Sequence, residues 1–165
     1  INTSMVGTYN FYNFLAAISI GNYFGVKEID ISHAVATYKP ENKRSQVLET
    51  EKNTLIIDCY NANPTSMLLA LESFRDFRNN KKLAIIGDML ELGEDSNLEH
   101  QKIIDYCNEH KIEFITVGPI FNKQNKNRAY KNVEEISSEL HTINATVILL
   151  KGSRGIELEK LITLL

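Results

Sequence analysis

The feature that most constrains this chain is an alternation. Short β-branched apolar runs at residues 54–58, 82–86, 114–117 and 146–150 are separated by longer stretches whose apolar residues recur at helical spacing. Such short runs suit buried strands. Met67, Leu68, Ala70, Leu71, Phe74 and Phe77 predict an amphipathic helix over residues 66–77. Residues 97–110 repeat the pattern with Leu98, Ile103, Ile104 and Cys107, and residues 133–141 and 155–165 predict two further helices. Residues 47–50 pair with 54–58 as a hairpin through Glu51, Lys52 and Asn53.

Strands and helices alternating in units of about thirty residues imply βαβ crossovers. The expected fold is α/β, a Rossmann-like, mostly parallel sheet with helices on both faces. Residues 1–40 stand apart. Phe11, Phe14, Leu15, Ile18 and Tyr23, with small Ala16, Ala17 and Gly21, predict a buried helix beginning near Thr8 and closed by Gly25. A second helix over 29–38 turns Ile29, Ile31, Val35 and Tyr38 inward, with Asp30 or Ser32 as its cap, and Pro40 ends it. Two helices cannot close a core of their own, so residues 1–40 read as the tail of a preceding domain. Residues 41–165 then form the domain that follows, with 40–44 as the linker. The chain opens at Ile1 without an initiator methionine, the mark of a piece of something longer.

Composition excludes several functions. The 165 residues are 43% hydrophobic with a net charge of −3, so clustered cations for nucleic-acid binding are not expected. Cys59 and Cys107 form neither a C-x-x-C pair nor a disulfide framework, which points to a reducing cytoplasm. No apolar run is long enough to span a bilayer. His33, His100, His110 and His141 lack ligand spacing, so no protein-held metal is expected.

Each parallel strand runs into a polar loop, and ligands of open α/β sheets bind at that carboxyl edge. The loops are residues 58–63, 87–93, 118–122 and 151–155. None holds G-x-G-x-x-G, so a dinucleotide site has no support. Asp58, Tyr60, Asn61 and Asn63 offer a carboxylate, a ring and two carboxamides, although the two Asn also suit a turn and a helix cap before Pro64. Lys151-Gly152-Ser153-Arg154-Gly155 places two cations and a hydroxyl ahead of a predicted helix, an expected anion site in which Arg154 orients a carboxylate or phosphate and Lys151 supplies charge. Asp88 and Glu91 sit between glycines, ready for an amine or magnesium, or for pairing with Lys151 or Arg154. Asn10 and Asn13, three apart on one helix face, can meet one flat ligand edge or bridge to each other. Arg44 stands at the domain junction.

Taken together, Tyr9-Asn10-Phe11-Tyr12-Asn13, Asn42-Lys43-Arg44-Ser45, Asp58-Cys59-Tyr60-Asn61-Ala62-Asn63-Pro64, Gly87-Asp88-Met89-Leu90-Glu91-Leu92-Gly93 and Lys151-Gly152-Ser153-Arg154-Gly155 resemble the Mur ligase family over nearly the whole chain. Tyr9 departs from the His of many relatives. The resemblance is strongest to members that join D-alanyl-D-alanine to UDP-N-acetylmuramoyl-tripeptide in peptidoglycan synthesis, using ATP and magnesium by way of an acyl phosphate. It implies that residues 1–40 end a central ATPase domain and that the rest is the C-terminal domain. It places Asn10 and Asn13 at adenine, Arg44 at the ATP phosphates as the catalytic cation, Asp58 at ribose, and Tyr60 and Asn61 beside the nucleotide. Asn63, Asp88, Lys151, Ser153 and Arg154 face the dipeptide, with Arg154 on its carboxylate. The family's P-loop has no counterpart here, so the chain by itself is expected to be inactive; the whole enzyme is expected to be a cytoplasmic monomer. Two other readings stay open: a non-catalytic α/β small-ligand or protein-interaction module, or a Mur-type ligase for another amino acid.

Overall fold

A computed structural model describes residues 3, 5, 7, 10–77 and 81–165. The helix start near Thr8 and the departure at Tyr9 lie outside the described residues. The chain forms a six-stranded sheet in the order β1-β2-β6-β3-β4-β5. Its strands are β1 (Gln46–Glu49), β2 (Thr54–Asp58), β3 (Lys82–Gly87), β4 (Phe114–Val117), β5 (Ala129–Tyr130) and β6 (Val147–Lys151). Only β1, on the edge, is antiparallel, paired with β2 as the expected hairpin. The last strand enters between β2 and β3, so Asp58 and Lys151 become register partners at the carboxyl ends of neighbouring parallel strands.

The sheet is apolar on both sides. Alternate residues Ile56, Ala84, Ile86 and Leu149 pack under α3 (Pro64–Arg75) and α4 (Ser96–Glu109) with Met67, Leu71, Phe74 and Ile103. The opposite face, Leu55, Ile57, Ile85, Ile148 and Leu150, is covered by α6 (Val133–Leu140) and the C-terminal segment. This period-two division is why central strands read as continuous apolar runs. Asn63 caps α3: its side-chain oxygen accepts from the Ser66 N–H, and the Ser66 hydroxyl accepts from the Asn63 N–H.

Several expectations need correction. Residues 118–122 are not a loop, because α5 (Pro119–Gln124) begins with Pro119 in its first turn and buries Phe121. Six residues are too few for helical periodicity to show in a sequence, and the two-residue β5 leaves no pattern either. The closing helix is instead two 3₁₀ segments, Arg154–Ile156 and Leu158–Leu164, separated by Glu157 in the left-handed region at φ 60°. Leu158 and Leu161 sit three apart and stack on one side of such a turn, so their spacing satisfied either helix type.

The first helix, α1 (Asn10–Tyr23), buries only Asn10; Phe11, Tyr12, Leu15, Ile20 and Tyr23 are exposed. Apolar spacing marks a face suited to burial, but among the described residues the neighbour packed along α1 is α2 (Glu28–Thr37) alone. In α2, Ile31 and Val35 are buried while Ile29 is exposed, as is Tyr38, which the expected helix included and which follows the observed one as its C-cap. Its N-cap is Lys27 without a side-chain cap bond, so Asp30 and Ser32 lie within the helix and cap nothing.

Candidate functional site

A cavity of about 720 Å³ opens between α1, α2 and the carboxyl edge of β2. Its apolar wall is Phe14, Ala17 and Val35, and its polar side gathers Asn10, Asn13, Arg44, Asp58, Tyr60, Asn61, Asn63 and Lys151. The sequence stretches that carried these residues are thus brought to one place, from positions as far apart as Asn10 and Lys151.

The polar side is built in layers. Buried Asn10 donates from Nδ2 to the Ser45 hydroxyl (3.2 Å) and accepts from Asn13 Nδ2 (3.1 Å), so the helical pair is a linked unit. Ser45 also gives its backbone N–H to Asp58 Oδ1 (3.2 Å). The other Asp58 oxygen meets Lys151 Nζ at 2.9 Å, the consequence of their register pairing. Lys151 Nζ reaches the Asn61 carbonyl as well (3.2 Å), and its side chain is only 2% exposed. Lys151 is therefore an internal strut that neutralises and aims Asp58. Both Asn of the loop have local duties, since Asn61 Oδ1 accepts from the Ala62 N–H and Asn63 caps α3. Ser45 was quoted from sequence only within the Asn42–Ser45 motif, and Phe14, Ala17 and Val35 only as helix packing positions; none was named there as a site residue.

Tyr60 lies half-exposed at the mouth. The Arg44 guanidinium stands 4.2 Å from its ring centroid and that of Arg154 stands 5.7 Å away. Arg154 lines a second, smaller cleft with Lys43, Cys59 and Glu159, where Lys43 and Glu159 pair at 2.7 Å. Cys59 is buried beneath it, and burial with the nearby Glu159 carboxylate pushes its thiol up to about 11.

Asp88 and Ser153 are placed elsewhere. Asp88 is fully buried, and its carboxylate accepts from the Ile120 and Phe121 N–H groups of α5 at 2.8 and 2.9 Å. Burial holds its pKa above the usual carboxylate range, opposed by those two N–H groups and by His100. The His100 Nε2, 3.8 Å from Asp88, accepts the Met89 N–H (2.9 Å), so the proton sits on Nδ1 facing the Ser96 carbonyl. Buried Ser153 takes the Leu90 N–H on its hydroxyl and gives its own N–H to the Asp88 carbonyl. Lys151 and Arg154 therefore pair with neither Asp88 nor Glu91 among the described ion pairs. The expected anion site at a helix N-terminus also changes, because the segment after Ser153 is a three-residue 3₁₀ turn with little aligned dipole.

Known proteins resemble this chain in sequence and in fold. A family model described as Mur ligase, glutamate ligase domain matches residues 43–154. A curated UDP-N-acetylmuramoyl-tripeptide–D-alanyl-D-alanine ligase of Rickettsia prowazekii is 32% identical over 86% of this chain and 36% of its own length. The Bacillus subtilis enzyme of the same name is 29% identical over 96% of this chain and 38% of its own. The chain thus spans under two fifths of those relatives. A crystal structure of MurF from Acinetobacter baumannii superposes with a TM-score of 0.81 at 27% identity, over 95% of this chain and 37% of that one. The MurF ligase from Thermotoga maritima, solved in complex with ADP, shares the fold with a TM-score of 0.79 at 24% identity, over 97% of this chain and 38% of that one. With the family model matching most of its length, residues 43–154, the chain belongs to the Mur ligase family.

Proposed function

We propose that this chain is the C-terminal part of an ATP-dependent amide ligase that adds D-alanyl-D-alanine to UDP-N-acetylmuramoyl-tripeptide, and that the large cavity receives the nucleotide. The observation that carries the reading is the convergence, in one cavity, of a linked carboxamide pair, an apolar wall, an aimed carboxylate and an exposed guanidinium. A carboxamide offers a donor and an acceptor to an adenine edge, here Asn13 backed by Asn10, while Phe14, Ala17 and Val35 cover the base. Asp58 keeps lone pairs for ribose hydroxyls beyond its bonds to Ser45 and Lys151. Arg44 serves the phosphates, with Tyr60 and Asn61 beside them.

In the reaction a carboxylate oxygen of the tripeptide attacks the γ-phosphorus and the bond to the ADP oxygen breaks. The dipeptide amine then attacks the acyl carbon, phosphate leaves, and the amine gives up a proton. Arg44 neutralises charge as it develops in the first step. Magnesium is another matter. Asp58 is the cavity's only carboxylate among the described residues and it is already paired with Lys151, a donor set unsuited to an octahedral oxygen-liganded ion. The metal ligands belong to the upstream part of the enzyme, and no step here runs through them.

Residues 1–40 are read as the end of the central ATPase domain and 41–165 as the C-terminal domain, in a cytoplasmic monomer. The exposed apolar side of α1 fits packing against that upstream domain. Phosphate release from the full-length protein tests the reading: it is expected only with ATP, the UDP-tripeptide and the dipeptide together, and not from the present chain by itself. Release driven by a single amino acid and not by the dipeptide overturns the substrate assignment.

A further inference from the structure

We propose that Arg44, Tyr60 and Arg154 form one phosphoryl-binding unit, with Tyr60 as a positioning residue that holds both guanidiniums for the group in transit; this deepens the ligase reading and rests on it. The two arginines come from loops 110 residues apart, and the resemblance gives them different substrates, ATP phosphate for Arg44 and the dipeptide carboxylate for Arg154. The geometry points to a shared one. Both stand near a single ring, 4.2 and 5.7 Å from its centroid, which keeps their Cζ atoms within about 10 Å of each other. Tyr60 lies where the large cavity and the small cleft meet and lines both.

The other cations here are engaged. Lys151 pairs with Asp58 and Lys43 with Glu159, whereas no described ion pair joins Arg44 or Arg154 to a carboxylate. Glu41 lines the cleft without an ion pair of its own among the described residues, and Glu159 feels the Arg154 charge. A planar carboxylate is satisfied edge-on by one guanidinium fork. A tetrahedral phosphoryl group offers three oxygens in different directions and suits two forks arriving from separate loops. Two cations placed by one ring therefore favour phosphoryl over the dipeptide's carboxylate.

The experiment follows the Nε–Hε signals of Arg44 and Arg154 by ¹⁵N NMR in this chain, titrated separately with inorganic phosphate and with D-alanyl-D-alanine. Both signals are expected to move with phosphate along one binding curve. Arg44→Ala and Arg154→Ala are each expected to weaken that curve about tenfold, and the double variant little further, because groups acting as a unit are not additive. Tyr60→Phe keeps the shared curve, and Tyr60→Leu splits or abolishes it while circular dichroism stays unchanged. An Arg154 signal that answers only to the dipeptide, no response of either arginine to phosphate, or a double variant near the hundredfold product overturns the proposal. Phosphate binding in a parent protein without ligase activity would remove the ligase reading and leave the site. Ligase activity with independent arginines would do the reverse.

Discussion

Two carboxyl-edge loops of this sheet look alike in sequence and differ in use. The 58–63 loop and the 87–93 loop each follow a buried strand and each carry an acid at its end. In the first, Asp58 remains at a cavity wall, and its partners Ser45 and Lys151 leave it open on one side. In the second, Asp88 is fully buried and binds the first turn of α5, while His100 and Ser153 hold the adjoining backbone. The difference teaches that an acid at a strand end is chemically available only when its lone pairs are not already answered by protein N–H groups.

The sharpest way to break that comparison is at Gly118. A Cβ there would lie 2.3 Å from the Asp88 carboxyl carbon, and its φ of +130° suits glycine. Gly118→Ala is expected to cost about 3–5 kcal/mol, measured by denaturant unfolding; an intact midpoint would mean that the Asp88 hub is not rigid. Asp88→Ala, which orphans two N–H groups, is expected to cost about 2–4 kcal/mol. If it weakened ligand binding with stability unchanged, the second loop would be a site after all. On the first loop, Lys151→Met leaves Asp58 without its ion partner and is expected to cost about 3 kcal/mol, with nucleotide affinity lowered in the full-length enzyme. Arg44→Ala should change stability by less than about 0.5 kcal/mol while cutting turnover at least about tenfold. Loss of stability without loss of turnover would reverse its assignment.

A further effect is that of pH. The Cys59 thiol rises from 9.0 to about 11 on folding, so the folded state holds its proton more tightly. The stability this contributes is complete below pH 9 and is lost as pH rises toward 11, by up to about 1.4 kcal/mol per unit. Unfolding curves at rising pH with Cys59→Ala as reference measure it. A wild-type curve parallel to the variant's would show that the thiol is not desolvated.

How much was legible follows the length of the pattern. Strands β2, β3, β4 and β6 and helices α3, α4 and α6 were readable to within a few residues, because burial on both faces imposes long apolar repeats. Helix α5, strand β5 and the 3₁₀ ending were not, since two to seven residues carry too little periodicity. The cavity residues Asn10, Asn13, Arg44, Asp58, Tyr60 and Asn61 were named from motifs, and the structure brings them together. Asp88 and Ser153 were named on the same grounds and are placed inside the protein.

The sequence by itself determined the alternation of elements, the two-sided sheet and the loops that end at its carboxyl edge, because apolar spacing and turn chemistry are local properties. Only the tertiary structure decided which polar groups stay available. The insertion of β6 between β2 and β3 sets Lys151 against Asp58, and the turn at Gly118 sets α5 on Asp88. Whether a carboxylate becomes a ligand or an internal strut depends on which distant donors reach it first, and that is a property of packing.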